Sequence, residues 1–164
     1  MRNNNFSFAF LFMLIQFSSS EILNGQILQF RTVCKLPSEL KESSGLISNN
    51  HGATFWSHND SDGKKIIYEI DSTCKLLRQV FIKNAISIDW EDITQDPSGN
   101  MYIGDFGNNN LNRKDLTIYK IPNPSLIVED TIIAESIYFT YLNQFDFPPT
   151  NDQKNFDMEA MIWY

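Results

Sequence analysis

The sequence predicts an all-β protein, and three observations point to this class. Short apolar runs alternate with clusters of Gly, Asn, Asp and Ser, as in strands joined by tight turns. The chain has 164 residues, of which 42% are hydrophobic and 13% aromatic, a composition typical of a folded β-rich domain rather than a disordered one. The third observation is an internal repeat, which becomes visible once the predicted strands are placed in order.

A first group of four predicted strands lies within residues 42–83. Ser44–Ile47, SGLI, begins an apolar run after a glutamate, and Thr54–Asp60, TFWSHND, follows a turn. IIYEID at Ile66–Asp71 and LLRQVFI at Leu76–Ile82 complete the group. The alternation of apolar and polar residues in these runs is typical of half-buried strands.

A second group within residues 88–141 repeats the scheme. Its strands are WEDITQD at Trp90–Asp96, NMYIGDFG at Asn100–Gly107, DLTIYKIP at Asp115–Pro122 and ESIYFTYL at Glu135–Leu142. We expect residues 89–92 to begin a strand rather than a helix, because they match the start of the first group.

The two groups correspond at intervals of about 50 residues, the period of four-stranded propeller blades. Leu46 corresponds to Ile93, Phe55 corresponds to Met101, and IYEI of the first group matches IYKI of the second. A third unit begins at 155–164, NFDMEAMIWY. The predicted fold is the N-terminal part of a β-propeller, with about two four-stranded blades, the first strand of a third, and an incomplete ring.

A propeller needs about four to eight blades to close. We therefore expect the chain to be an N-terminal fragment or a truncated product that is poorly stable or self-associating alone. The alternative is a complete small β-sandwich of eight or nine strands.

Residues 1–20 are predicted to be an export signal. Arg2 supplies a positive start, Phe6–Phe17 is an apolar stretch, and Ser18–Ser20 offers small residues for cleavage. The mature domain is then 21–164, secreted or at the cell surface. No second long apolar stretch follows, so no transmembrane segment is expected in the mature chain.

Two cysteines, Cys34 and Cys74, leave two readings open. In an exported protein one disulfide is possible, and two separate, partly buried thiols are the other reading. Their spacing fits neither a CxxC redox motif nor a zinc site.

The formal net charge is −7 and the isoelectric point is about 4.7. An acidic chain without a basic stripe argues against nucleic acid and against anionic membrane surfaces. Cations, a protein or glycan ligand, or a small molecule of unknown kind remain as partners.

The motifs ESSGLI, FWSHNDSDG, DWEDI, YIGDFGNN, IYKIP and FDMEAM together resemble a set of secreted bacterial propeller-like proteins. Those proteins are similar to the six-bladed group that includes gluconolactonase/regucalcin-like, NHL-repeat and esterase-like phytase proteins. The resemblance covers about Leu36 to Tyr164. It implies a propeller whose first strands line a central channel, and it implies no catalytic residue.

Acidic residues recur at the predicted starts of the channel-lining strands, where we expect them to meet at one rim. The candidate metal ligands are Asp89, Glu91, Asp105, Asn108, Asp157 and Glu159. Further rim candidates are Glu42, His58, Asn59 and Asp60. Converging carboxylate and amide oxygens suit Ca²⁺, whose charge offsets their repulsion. The competing interpretation is that these Asp and Asn residues only form turns.

These residues favour an exported binding or scaffold module stabilised by Ca²⁺. The alternative is a metal-dependent hydrolase of a phosphate ester or lactone, with Asp89, Glu91, Asp105 or Glu159 as ligand or base. A third possibility is glycan binding through exposed aromatics, although Trp56, Trp90 and Trp163 are expected in the blade core. His58 is either a general base or a structural residue.

Overall fold

The structure is a computed structural model that describes residues 31–49, 53–150 and 155–164. The export signal predicted at 1–20 lies outside these residues. Within the described ranges, no helix has the length and apolar character needed to cross a membrane. The protein is all-β, with two sheets, neither of them closed.

Sheet 1 has five strands in the spatial order β1-β2-β3-β4-β8. The first four form an antiparallel meander, and β8 adds to β4 in parallel. The strands are β1 Ser43–Asn49, β2 Thr54–Asn59, β3 Ile66–Asp71, β4 Leu76–Ile82 and β8 Thr131–Ile132.

Sheet 2 has four antiparallel strands in the spatial order β5-β6-β7-β9. These are β5 Trp90–Gln95, β6 Met101–Asp105, β7 Thr117–Ile121 and β9 Glu135–Tyr138. Short 3₁₀ helices occur at Ser38–Leu40, before β1, and at Pro124–Leu126, between β7 and β8.

Eight strands coincide with the predicted runs. The segment 89–92 begins a strand rather than a helix, as predicted, although β5 starts at Trp90 and Asp89 precedes it. Two features differ from the prediction. The two-residue strand β8 was not expected, and 155–164 has no regular strand. The described residues contain no second strand of a third unit with which this segment can pair. Its amides instead bond to β5 side chains: Met161 N donates to Asp92 Oδ2 and Trp163 N to Thr94 Oγ1.

The core lies between the two sheets. It is lined by aliphatic and aromatic side chains from both, and Trp56 of β2 and Trp90 beside it are fully buried. The principal members are Trp56, Ile67, Val80, Ile82, Trp90, Ile93, Met101, Ile103, Tyr119 and Ile121. Burying each such side chain stabilises the fold by about 1.5–3 kcal/mol relative to leaving it exposed. The first strands of the two sheets, β1 and β5, lie side by side, and Ser44 Oγ donates to the carbonyl of Glu91 across them.

The opposite face of sheet 1 is covered in part by the segment before β1. Leu40 packs on Tyr68 and Ile70 in a small second cluster. Cys34 and Cys74 form a disulfide with a Cα–Cα distance of 5.9 Å, which decides between the two readings of the cysteines. The bond ties this segment to the turn after β3.

Candidate cation site

The site is built around an irregularity at the start of β5. Trp90 pairs with Asp105 and Asp92 pairs with Gly104, so Glu91 is an extra residue in a β-bulge. Bulges redirect side chains and recur beside functional sites. Here the bulge allows Trp90 to enter the core while Glu91 joins a group of carboxylates. A register shift also occurs between Ser43 and Leu46 in β1.

Three carboxylates converge at this end of the sheets. Asp60 follows β2, Asp89 precedes β5 and Glu91 lies in the bulge. Their ligand oxygens all lie within 4.8 Å of one another. The carboxyl of Asp60 lies close enough to that of Asp89 to share a proton with it, and the carboxyl of Glu91 lies equally close to that of Glu159. Asp60 Oδ1 is buried and has no partner among the described residues. We call Asp60, Asp89 and Glu91 the acidic triad.

The triad is held in an environment that disfavours its charge. Burial, followed by the charges of Glu159, Asp89 and Asp60, raises the pKa of Glu91 to about 8. Burial, then the hydrogen bond to Asp89 and the charges of Asp89 and Glu42, raises the pKa of Asp60 to about 6. Burial and neighbouring carboxylates both disfavour the charged form of a carboxyl group. Glu91 and Asp60 therefore retain protons at a pH where isolated carboxyls are ionised.

Backbone hydrogen bonds fix the three loops that carry the triad. Asp60 N donates to the carbonyl of Glu42 at 2.9 Å, and Trp90 N donates to the carbonyl of Asp60 at 3.0 Å. Gly107 N donates to the carbonyl of Asp89 at 3.2 Å. The carboxylates are thus positioned by main-chain contacts between the ends of β2 and β6 and the start of β5.

Gly107 allows these loops to approach the triad closely. A Cβ at this position would collide with Glu91 Oε1 and Asp89 Oδ2. Any larger residue would have to displace the carboxylates, so the absence of a side chain is a condition for their present arrangement.

Asn59 and Asp105 occupy matching positions at the ends of β2 and β6, and both are buried. Asn59 Oδ1 accepts the amide of Glu42, and Asp105 Oδ1 accepts the amide of Asp89. Each side chain therefore anchors the residue that precedes the first strand of its sheet. Asn59, a rim candidate, and Asp105, a predicted metal ligand, thus both have an oxygen that accepts a backbone amide at the start of a first strand.

The carboxylate of Asp105 has a cationic partner. Arg113 Nη1 lies 2.9 Å from Asp105 Oδ1, and both side chains are largely buried. Burial raises the pKa of Asp105, while the charge of Arg113 and the amide of Asp89 offset part of that rise. A paired carboxylate of this kind has less capacity to bind a metal than the triad.

Asn108 and Asp157 connect the β6–β7 loop to the segment 155–164. Asn108 N donates to Asp157 Oδ1, and Asn108 Nδ2 donates to the carbonyl of Phe156 at 2.8 Å. Asn108 Oδ1 accepts the amide of Arg113. These predicted ligands are therefore engaged with each other. Glu159 is exposed, and its carboxyl lies close to that of Glu91 at the edge of the triad.

His58 is fully buried among core residues and does not belong to the triad. Its ring meets Trp90 edge-on at 5.6 Å, and Nδ1 donates to the carbonyl of Asn59. Burial lowers the pKa of His58, so the ring is neutral at pH 7. Glu42, by contrast, is exposed and contributes to the site through its charge and its backbone.

The turn interpretation applies to other aspartates of the same motifs. Asp62 Oδ1 accepts the amide of Lys64, and Asp96 Oδ1 accepts the amides of Ser98 and Asn100. These are side chains that close a turn on their own backbone. Trp163 also differs from the expected core position, since it is 45% exposed and stacks on Tyr102 at 5.2 Å.

Sequence reasoning missed Arg113, Gly107 and Asp92. Arg113 lies in an irregular loop, where no periodicity links it to Asp105. Gly107 was placed at the end of a predicted strand, and its closeness to two carboxylates depends on contacts remote in sequence. Asp92, whose Oδ2 accepts the amide of Met161, was read as part of the strand alone.

Comparison of the chain with protein-family models, curated proteins and solved structures found no match. The resemblance to secreted propeller-like proteins therefore stays a prediction.

Proposed function

We propose that this protein is an exported β-propeller-type binding or scaffold module that takes a divalent cation, Ca²⁺, at the acidic triad. The observation that carries the proposal is the convergence of Asp60, Asp89 and Glu91, with ligand oxygens within 4.8 Å of one another. The cation would join three segments of the chain that meet at one end of the sheets.

The chemistry of the triad suits a hard cation. Ca²⁺ takes six to eight oxygens at about 2.3–2.6 Å, and carboxylates supply one or two each. Without a cation the triad relieves its repulsion by retaining protons, as the raised pKa values of Glu91 and Asp60 indicate. A bound Ca²⁺ would replace those protons, and the exposed Glu159 is close enough to Glu91 to add a further carboxylate.

Two features support the exported propeller part of the proposal. The disulfide between Cys34 and Cys74 is of a kind that persists in oxidising, extracytoplasmic compartments. The side-by-side packing of β1 and β5, each the first strand of its own sheet, is the arrangement that radial stacking of blades requires.

Thermal unfolding of the purified chain with and without Ca²⁺ tests the proposal. A ligand that binds only the folded state stabilises it by about 2.7 kcal/mol at a hundredfold excess over its dissociation constant. Ca²⁺ should therefore raise the melting temperature of the parent and of Glu129→Gln, a matched change at an exposed glutamate. Glu91→Gln should lose most of that gain. The proposal fails if Ca²⁺ leaves the parent unchanged, or if Glu91→Gln responds like the control.

A metal-dependent hydrolase is the second candidate, and the pKa of Glu91 favours it. A carboxyl with a pKa of about 8 beside potential metal ligands is able to exchange a proton near neutral pH, as a general acid or base must. Assays with p-nitrophenyl phosphate and a simple lactone, in the presence of Ca²⁺, distinguish the candidates. Turnover that disappears in Glu91→Gln but not in Glu129→Gln supports the hydrolase; Ca²⁺ binding without turnover supports the binding module.

A further inference from the structure

The two sheets pack against each other through unlike faces, and the strand register identifies them. Sheet 1 contributes Trp56, Ile67 and Val80 to the shared core, and we call this side its front face. Sheet 2 contributes Ile93, Met101 and Ile121, together with their neighbours, and we call this side its back face. Within the chain, the front face of sheet 1 therefore packs against the back face of sheet 2.

Sheet 1 has a back face of its own. In sheet 1, Leu46 pairs with Ser57 and Phe55 pairs with Ile70. The equivalent pairs in sheet 2 are Ile93 with Ile103 and Met101 with Ile121. Leu46, Phe55 and Ile70 thus hold the positions in sheet 1 that Ile93, Met101 and Ile121 hold in sheet 2.

Sheet 2 likewise has a front face. Ile118 pairs with Ile137 as Ile67 pairs with Val80. Tyr102 pairs with Lys120 as Trp56 pairs with Glu69. Tyr102, Ile118 and Ile137 thus correspond to the residues of sheet 1 that already make the internal contact.

Both of these faces are apolar and only partly covered: Leu40 packs on Ile70 of the first face, and Trp163 stacks on Tyr102 of the second. The back face of sheet 1 borders an open pocket of about 340 Å³, also lined by Val33, Leu36 and the disulfide, and Leu46 is 58% exposed there. The front face of sheet 2 borders a depression of about 240 Å³ beside Trp163, and Ile137 is 39% exposed. Contiguous apolar patches of this kind mark interaction surfaces.

We propose that a second copy of this chain docks the front face of its sheet 2 onto the back face of sheet 1. The occupant is a second copy of the chain because the two partly uncovered faces correspond to the two faces that already pack together between sheet 1 and sheet 2. The contact is head-to-tail, with different residues on the two sides, and each copy retains one free face for the next. Leu46 is the central residue of one side, and Ile137 is that of the other.

Complementation between two blocked variants tests this geometry by light scattering of the full chain expressed for export. Leu46→Glu blocks only the back face, and Ile137→Glu blocks only the front face. The parent should associate with increasing concentration, while each variant alone is monomeric. An equimolar mixture of the two should form a 1:1 dimer and no larger species, because each variant supplies the face that the other lacks.

Val128→Glu is the matched control, since Val128 is 91% exposed and belongs to neither face. It should associate like the parent. Circular dichroism melting verifies that each variant is folded. If a glutamate variant unfolds, the serine variant at the same position, Leu46→Ser or Ile137→Ser, replaces it. The proposal is overturned by a parent that stays monomeric across the concentration series. It is also overturned by single variants that still associate, by a mixture that stays monomeric, or by a control that dissociates.

Discussion

Arg113 places its guanidinium 2.9 Å from the carboxylate of Asp105, in an ion pair that is almost completely buried. The same guanidinium nitrogen donates to the carbonyl of Gly107 at 3.0 Å. Arg113 therefore holds the β6–β7 loop against the end of β6 and keeps Gly107 beside the acidic triad. The ion pair acts on the site by positioning this loop.

Arg113→Met should lower the free energy of unfolding by about 3–5 kcal/mol, because removing one partner leaves a buried charge without compensation. Urea unfolding measures the loss. Lys120→Met is the control, since Lys120 and Glu135 form an exposed pair at 3.9 Å that contributes at most about 1 kcal/mol. Equal losses in the two variants would contradict a structural role for the Arg113–Asp105 pair.

The stability of the cation-free protein should fall as the pH rises. Glu91 has its pKa raised from 4.5 to about 8, so the fold favours the protonated form. This contribution is fully present below pH 4.5, where the unfolded chain is protonated too, and it is lost as the pH rises through about 8. Asp60 acts in the same direction between 3.8 and about 6. Melting temperatures in a chelating buffer should therefore decrease across this range.

Glu91→Gln should flatten the upper part of that profile, between about pH 6 and 8, because an amide does not ionise. Glu129→Gln should keep the parent profile. Should Glu91→Gln retain the full pH dependence of the parent, the shift would have to be assigned to groups outside the triad.

Gly107→Ala should abolish the response to Ca²⁺, because the new methyl group meets oxygens of Glu91 and Asp89. Gly63→Ala is the control: a Cβ at Gly63 meets nothing within 4 Å, although its φ of +71° makes alanine unfavourable. That control should lose about 1–2 kcal/mol of stability and still be stabilised by Ca²⁺. Calorimetric titration with Ca²⁺ distinguishes the variants. An unchanged Ca²⁺ affinity in Gly107→Ala would show that the cation site does not depend on Gly107.

Cys34→Ser should lower the free energy of unfolding by about 4 kcal/mol, the chain-entropy value for two cysteines 40 residues apart. Urea unfolding with and without a reducing agent provides an internal control. Reduction should destabilise the parent by a similar amount and leave the variant unchanged. A parent that is indifferent to reduction would show that the bond contributes no stability.

The strands were the most predictable part of the fold because their signal is local. Ile66–Asp71 and Leu76–Ile82 have the bounds that alternation indicated. The strand β8 has two residues and pairs in parallel with a distant strand, so no local pattern marks it. The predicted strand at 155–164 is not formed, because a strand also depends on a partner that sequence periodicity does not reveal.

The candidate site was predictable as a neighbourhood but not as a set of ligands. Aligning the repeats predicted that Asp89 and Asp60 would lie at one end of the sheets. It did not separate them from Asp105, whose buried partner Arg113 lies in an irregular loop, or from Asn108, which bonds to Asp157. Side-chain pairing across loops decided which carboxylates remain available to a cation.

The strand β8 is contributed to sheet 1 by the connection between β7 and β9 of sheet 2. Phe81 N bonds to the carbonyl of Asp130, and Lys83 N bonds to that of Ile132. To open either sheet, the chain must also release its attachment to the other one. Amide hydrogen exchange should therefore report a single cooperative unit, in which the slowest amides of β4 and β7 share one opening free energy.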